Sequence, residues 1–211
     1  MKRIALTQRV EISEAYEERR DALDQRWVLL LRNLDLWPVL LPNNECYCRD
    51  LLKNDPPDGV LLTGGNSLLS YGGNAPERDS TERLLVEWAL HYKKPLLGTC
   101  RGMQLISDYF GIRLRDIEGH VAERHSLIVN HNTRLGQMLD GINTVNSYHR
   151  QGSLKSDFTS DDLCVSALSE DGVVMAIEHK QAPLFGVMWH SERENPFNPL
   201  ECELIGTIFN L

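Results

Sequence analysis

The 211-residue chain is 42% apolar and 25% charged, a balance that suits one packed core and excludes extended disorder. A formal charge of −8 argues against binding polymeric nucleic acid, whose affinity rests on dense positive charge. It leaves room for a single nucleotide or a phosphorylated small molecule held by a few arginines.

No apolar run approaches the ~20 residues that a membrane span requires, so no membrane association is expected. Met1 to Arg9 is basic but too briefly apolar for an export leader. Five cysteines, an odd count, then point to reduced thiols and the cytoplasm rather than a disulfide framework.

Taken in order, Ile4-Ala5-Leu6 is expected as the first strand, followed by a polar, charged stretch from Gln8 to Asp21. Leu23, Trp27, Leu30, Leu31 and Leu34 then fall on one face of a helix. Val39-Leu40-Leu41, between Pro38 and Pro42, reads as a second strand near a sheet edge. Cys46 and Cys48 have no Cys or His partner at zinc spacing, and with Cys164 and Cys202 they are expected as packing or partly exposed thiols. Pro56-Pro57 precedes a third strand, Gly59 to Leu62, which runs into Thr63-Gly64-Gly65. The next stretch, to Asp79, is rich in Gly, Asn and Ser and predicts a long loop. Asp79 and Glu82 form a capping-box variant for a helix burying Leu84, Leu85, Trp88 and Tyr92.

Leu96-Leu97 leads into Gly98-Thr99-Cys100-Arg101-Gly102, after which Leu105, Ile106, Tyr109 and Phe110 recur at helical spacing up to Gly111. This predicts strand, sharp turn and helix with a cysteine at the apex, the geometry of a nucleophile elbow. A thiol at a helix N-terminus is favoured as thiolate, and the main-chain N–H of Arg101 is placed to stabilise an oxyanion. The same pentapeptide also suits a buried structural cysteine, so the catalytic assignment needs a base elsewhere.

Beyond Gly111 short strands are expected: Ser126–Val129, Thr144–Ser147, Leu163–Ala167 and Val173–Ile177, with a hairpin turn at Asp171-Gly172. Leu184 to Trp189 reads as a buried strand ending in His190-Ser191-Glu192. On an extended segment the side chains of His190 and Glu192 share a face, so the carboxylate can orient the imidazole toward a thiol. A closing helix starts at Asn198-Pro199 and buries Leu204, Ile205, Ile208 and Phe209. Strand alternating with helix predicts an α/β fold with a mainly parallel central sheet flanked by helices, in one domain spanning residues 1–211.

Gly98 to Gln104, Trp189 to Glu192, Leu61 to Gly65 and Val145 to Gln151 together resemble the class I glutamine amidotransferase superfamily, and within it the free-standing γ-glutamyl hydrolases. The resemblance implies a flavodoxin-like fold with additional short antiparallel strands. It implies hydrolysis of a γ-glutamyl amide through a cysteine thioester, with no cofactor and no metal. Cys100 is then the nucleophile, His190 the base and Glu192 its orienting carboxylate, with Gly65 and Arg101 supplying the oxyanion hole. Gly64, Gln104, Ser147, Tyr148 and His149 hold the glutamyl group. Gln151 sits in the same segment without an assigned role.

The arginine- and acid-rich stretch from Gln8 to Trp27 suits a solvated helix face. It also resembles a member of that branch acting on a nucleotide-linked conjugate in capsule phosphoramidate biosynthesis, which makes Arg9 and Arg19 candidate contacts to the leaving group. A small-molecule γ-glutamyl substrate is the expected partner; a separate synthase is compatible but not required. The alternatives left open are a glutaminase subunit feeding such a synthase, a hydrolase of another amine such as γ-glutamyl-γ-aminobutyrate, a general peptidase, and a regulatory binding module on the same fold.

Overall fold

The computed structural model describes residues 1–210. The first half alternates strand and helix: β1 (Arg3–Leu6), a hairpin of β2 (Arg9–Ser13) and β3 (Glu18–Ala22), α1 (Gln25–Asn33), β4 (Trp37–Leu40), α2 (Glu45–Asn54), β5 (Gly59–Leu62), α3 (Pro76–Tyr92), β6 (Leu96–Thr99) and α4 (Arg101–Tyr109). The second half contains β7 (Arg115–Asp116), β8 (Val121–Val129), α5 (Arg134–Met138), β9 (Thr144–Tyr148), β10 (Gln151–Gly152), β11 (Leu163–Ser169), β12 (Val174–His179), β13 (Leu184–Val187) and α6 (Pro199–Asn210).

Among the described residues, nine strands join one sheet in the order β4-β1-β5-β6-β13-β12-β11-β8-β9. From β4 to β13 the strands run parallel; β12, β11, β8 and β9 extend the sheet antiparallel. Every residue of β5, β6 and β13 is buried, as expected for parallel strands covered on both faces. Pro38 lies in β4, which pairs only with β1, so its missing N–H faces no partner strand.

This order decides where the chemistry sits. β5, β6 and β13 are adjacent and parallel, so the segments leaving their carboxyl ends emerge side by side. Those segments carry Gly64-Gly65, Cys100 and His190.

Several local expectations change. Residues 8–21, expected as a polar stretch suited to a solvated helix face, largely form the β2–β3 hairpin instead, which lies outside the main sheet. Its charged side chains are mostly exposed because the hairpin covers little core; Val10 is its buried residue. Helix α3 begins at Pro76 rather than near Asp79, with proline in its first turn, so the loop before it is shorter than predicted. Asp79 and Glu82 therefore do not cap the helix: they lie inside it, buried and paired with arginines. Tyr92 is exposed and Leu84 half-buried, while Leu85, Val86, Trp88 and Ala89 carry the buried face. The strand of Ser126–Val129 starts earlier, at Val121, and the strand before His190 ends at Val187. All five cysteines are free; Cys48 is buried, Cys46 exposed, and Cys164 and Cys202 half-buried. No described helix is long and apolar enough to cross a membrane.

Candidate active site

The elbow is built by close approach. A Cβ at Gly98 would lie 2.6 Å from the Gly102 carbonyl carbon, and one at Gly102 would lie 2.4 Å from the Leu62 oxygen. Only glycine lets β6, the turn and α4 press onto β5 in this way. Between them Cys100 adopts φ 50° and ψ −104°, a strained conformation for a residue with a side chain. Its side chain is largely buried but borders a pocket of about 400 Å³. Gly65, Arg101, Gln104, Tyr148 and His149 border the same pocket.

His190 and Glu192 meet as expected, but by a different local route. The segment is not extended past His190: Ser191–Arg193 forms a 3₁₀ turn that folds the carboxylate back, giving 2.7 Å between His190 Nδ1 and Glu192 Oε1. Asn146 locks this turn, accepting from the His190 N–H and donating to the His190 carbonyl, each at 2.9 Å. Arg26 donates to the carbonyls of Glu192 and Glu194. Among the described residues, the buried Nε2 of His190 has no nitrogen or oxygen partner, and it lies beside the Cys100 side chain.

Burial by itself would pull the His190 pKa down, but the neighbouring Cys100 together with the Glu192 carboxylate outweighs it and raises it to about 9. The His190 imidazole is thus held protonated at neutral pH, with a proton available for a leaving nitrogen. Because the folded pKa exceeds the unfolded one, the stability this group contributes is fully present below pH about 6.5 and is lost as pH rises through about 9. Amide hydrolysis should fall over the same alkaline window as the proton donor is lost. A pH profile of kcat/KM flat to pH ~11 would remove His190 from that role.

The pocket wall opposite is held on one oxygen. The Gln151 carbonyl accepts from Gln104 Nε2 at 2.8 Å and lies 3.1 Å from His149 Nδ1, which fixes the tautomer with hydrogen on Nδ1. Burial first, and the neighbouring His120 second, lower the His149 pKa to about 3, so the ring is neutral and its unpartnered Nε2 is an acceptor.

The other expected residues fall as follows. Gly64 packs against the His190 imidazole; a Cβ there would stand 2.6 Å from His190 Cε1. The Ser147 hydroxyl is fully buried and turned to the His120 carbonyl at 3.0 Å, so its side chain is not brought into the pocket. Tyr148 sets its ring edge-on to His190 at 5.9 Å, with the Arg193 guanidinium 4.3 Å over its face. Arg9 lies against Gly65 and borders a cleft shared with His190 and Arg193. Arg19 is not brought to the site: it donates to Glu77 at 2.6 Å and to the Asn74 carbonyl at 2.8 Å, tying the hairpin to the start of α3.

Sequence reasoning missed Asn146, Arg193 and a buried ion network behind the elbow. In that network Arg78 pairs with Glu82, and Arg101 bridges Glu82 and Asp79. Burial alone would raise the Glu82 pKa, but Arg101 and Arg78 outweigh it and hold it below the usual carboxylate range. Desolvation lowers Arg78 to about 10, which still leaves it charged at neutral pH. The spacing of Arg78 and Glu82, four apart on a helix, was a signal, but a helical i,i+4 pair is ordinarily solvent-exposed.

His120, His125 and Asp171 bring one ligand atom each within 4.8 Å of one another. The two imidazoles stack at 3.9 Å and 9°, so their in-plane lone pairs run side by side rather than converging on an ion. A larger groove of about 660 Å³ between α2 and α3, lined by Leu52, Trp88 and Tyr92 among others, shares no residue with the Cys100 pocket.

The Peptidase C26 family model matches residues 4–192, from β1 through the histidine and carboxylate. The chain belongs to the Peptidase C26 family. Members of this class I glutamine amidotransferase-like family are cysteine-dependent amide hydrolases, and this chain is one. The chain is 32% identical over 206 residues to the γ-glutamyl-CDP-amidate hydrolase of Campylobacter jejuni, covering 94% of each. It is 30% identical over 166 residues to anthranilate synthase component 2 of Saccharolobus solfataricus, covering 77% of this chain and 81% of that one. Its fold matches a Thermoplasma acidophilum protein described as part of a GMP synthase, with a TM-score of 0.72 at 19% identity, covering 100% of this chain and 93% of the other. Its activity is accordingly that of a γ-glutamyl amide hydrolase or glutamine amidotransferase-like enzyme.

Proposed function

We propose that this enzyme hydrolyses γ-glutamyl-CDP-amidate to glutamate and cytidine diphosphoramidate, a step of capsule phosphoramidate biosynthesis, acting in the cytoplasm as one domain spanning residues 1–211. The observation that carries the chemistry is a buried Cys100 beside the free Nε2 of His190, with Glu192 on its Nδ1. Likeness over 94% of both chains to the Campylobacter enzyme supports the substrate.

Cys100 sulfur attacks the γ-carbonyl, and the oxyanion is taken by the main-chain N–H groups of Gly65 and Arg101. His190 protonates the departing nitrogen, a γ-glutamyl thioester remains, and His190 then takes a proton from the water that releases glutamate. The glutamyl group lies along Gln104 and His149, whose neutral Nε2 and the nearby Asp116 suit its α-ammonium. The leaving group must extend past His190, because that residue gives it a proton. The cations on that side are Arg9 and Arg193. Arg193 lies over the Tyr148 ring and 3.8 Å from Glu192, without a close ion pair to hold it there.

The test ranks kcat/KM for γ-glutamyl-CDP-amidate, glutamine, γ-glutamyl-γ-aminobutyrate and a γ-glutamyl polyamine on the isolated chain. The nucleotide-linked conjugate should lead. Arg193→Ala should cost it about 10- to 100-fold while changing glutamine by less than ~3-fold, as for loss of a charge-assisted hydrogen bond. If glutamine leads and turnover requires an added synthase, the chain is instead a glutaminase subunit. That second reading draws on the likeness to anthranilate synthase component 2.

A further inference from the structure

An oxyanion hole at Gly65 requires the Gly64–Gly65 main chain to be held in one orientation. Both residues are glycines, and Gly65 sits at φ 87°, so the loop has little preference of its own. Arg78, fully buried in α3, reaches it from behind. Its Nη2 donates to the carbonyls of Thr63 at 2.7 Å and Gly64 at 3.1 Å, and its Nη1 to the Gly65 carbonyl at 2.6 Å. Its Nε donates to Glu82 at 2.8 Å, and the other oxygen of Glu82 takes Arg101, the residue after the nucleophile. One guanidinium thus collects three consecutive carbonyls and links them, through one carboxylate, to the elbow.

The consequence follows from peptide geometry. In a trans peptide the C=O and N–H point in opposite directions. With the Gly64 oxygen held inward on Arg78, the N–H of the same peptide unit, which belongs to Gly65, points outward. Gly65 borders the Cys100 pocket. We propose that Arg78 is a positioning residue that presets the oxyanion hole: it fixes the plane of the Gly64–Gly65 peptide so that the Gly65 N–H faces the substrate carbonyl. The Glu82–Arg101 link keeps the second donor, the Arg101 main chain, in register with the first. This deepens the hydrolase reading and rests on it for its biological meaning, but its test does not require a γ-glutamyl substrate.

Two reactions of the same sulfur separate an oxyanion effect from a general one. With p-nitrophenyl acetate the Cys100 thiolate adds to a carbonyl, a C–S bond forms, an oxyanion develops and nitrophenolate leaves. With iodoacetamide the thiolate displaces iodide from a saturated carbon, so no oxyanion appears. Arg78→Lys keeps a cation beside Glu82, but a single ammonium lacks the fork that spans three carbonyls. This variant should lose about 10²-fold in acylation by the ester and in γ-glutamyl amide turnover, with alkylation changed less than ~2-fold and KM for the amide little moved. If Arg78→Lys does not fold, the Arg78→Gln/Glu82→Gln double variant removes one charge of each sign and is read by the same ratio of rates.

Equal losses in acylation and alkylation would overturn the proposal, since the network would then serve only the elbow or the fold. Unchanged acylation would overturn it too. Wild-type protein that is acylated by the ester yet leaves γ-glutamyl amides intact would count against the hydrolase reading alone, and the rate ratio of the variant would still decide the role of Arg78.

Discussion

Cys100→Ala should lower kcat for a γ-glutamyl amide by about 10⁵- to 10⁶-fold, leaving only the slow catalysis that an oxyanion hole and substrate binding provide without a nucleophile. The change removes one sulfur from a site where the backbone already sits at φ 50°, a conformation that alanine and cysteine tolerate about equally. Gly98 and Gly102, whose close approach builds the turn, are untouched. Thermal unfolding should therefore shift by no more than ~1 kcal/mol in stability, the value of a small buried group. Removing the sulfur also removes one of the influences that raise His190, so the pKa of that imidazole should fall from about 9 in the variant. Rapid-quench assays of thioester formation, run beside a thermal melt, check both halves. A variant that unfolds would make Cys100 a structural residue, and one that turns over normally would leave the mechanism without its nucleophile.

Glu192→Gln should lower kcat by about 10³- to 10⁴-fold while KM stays within a few-fold. The carboxylate accepts the Nδ1 hydrogen of His190 at 2.7 Å in a site that is buried on both sides. An amide of the same shape can turn its NH₂ toward Nδ1, which places the imidazole hydrogen on Nε2 and leaves no lone pair to take a proton from water. It also removes a negative charge that helps raise the His190 pKa, so the alkaline limb of the pH profile should move to lower pH. Steady-state kinetics across pH separate the two effects. A rise in KM with kcat intact would move Glu192 from orienting the imidazole to binding substrate.

Much of the site lay in short, local patterns. Gly98 and Gly102 flank Cys100 because three segments of main chain meet there, a steric demand that appears directly as glycine at fixed spacing. His190 and Glu192 were paired correctly for an incomplete reason: two-residue spacing on an extended strand and the 3₁₀ turn actually present both bring position 192 back to 190. Arg19 shows the opposite outcome. An arginine among several acids carries no indication of which one it will meet, and folding the hairpin against α3 brings Arg19 to Glu77. Asp79 and Glu82 likewise suited a helix start by residue type. Arg78 pairs with Glu82 one turn away on the same helix, but Arg101, which bridges both acids, is chosen by how α3 lies on the elbow.

By itself the amino-acid sequence determined the strand–helix alternation, the elbow with Cys100 at its apex and the closeness of His190 to Glu192, because glycine spacing, apolar periodicity and two-residue separations act over a few residues along the chain. Only the tertiary structure decided that β5, β6 and β13 are neighbours, that Asn146 locks the histidine turn, and that Arg78 holds the glycine loop from behind. Those are pairings between distant positions, set by strand order and by which charges are buried together, and neither quantity is written in any local stretch of residues.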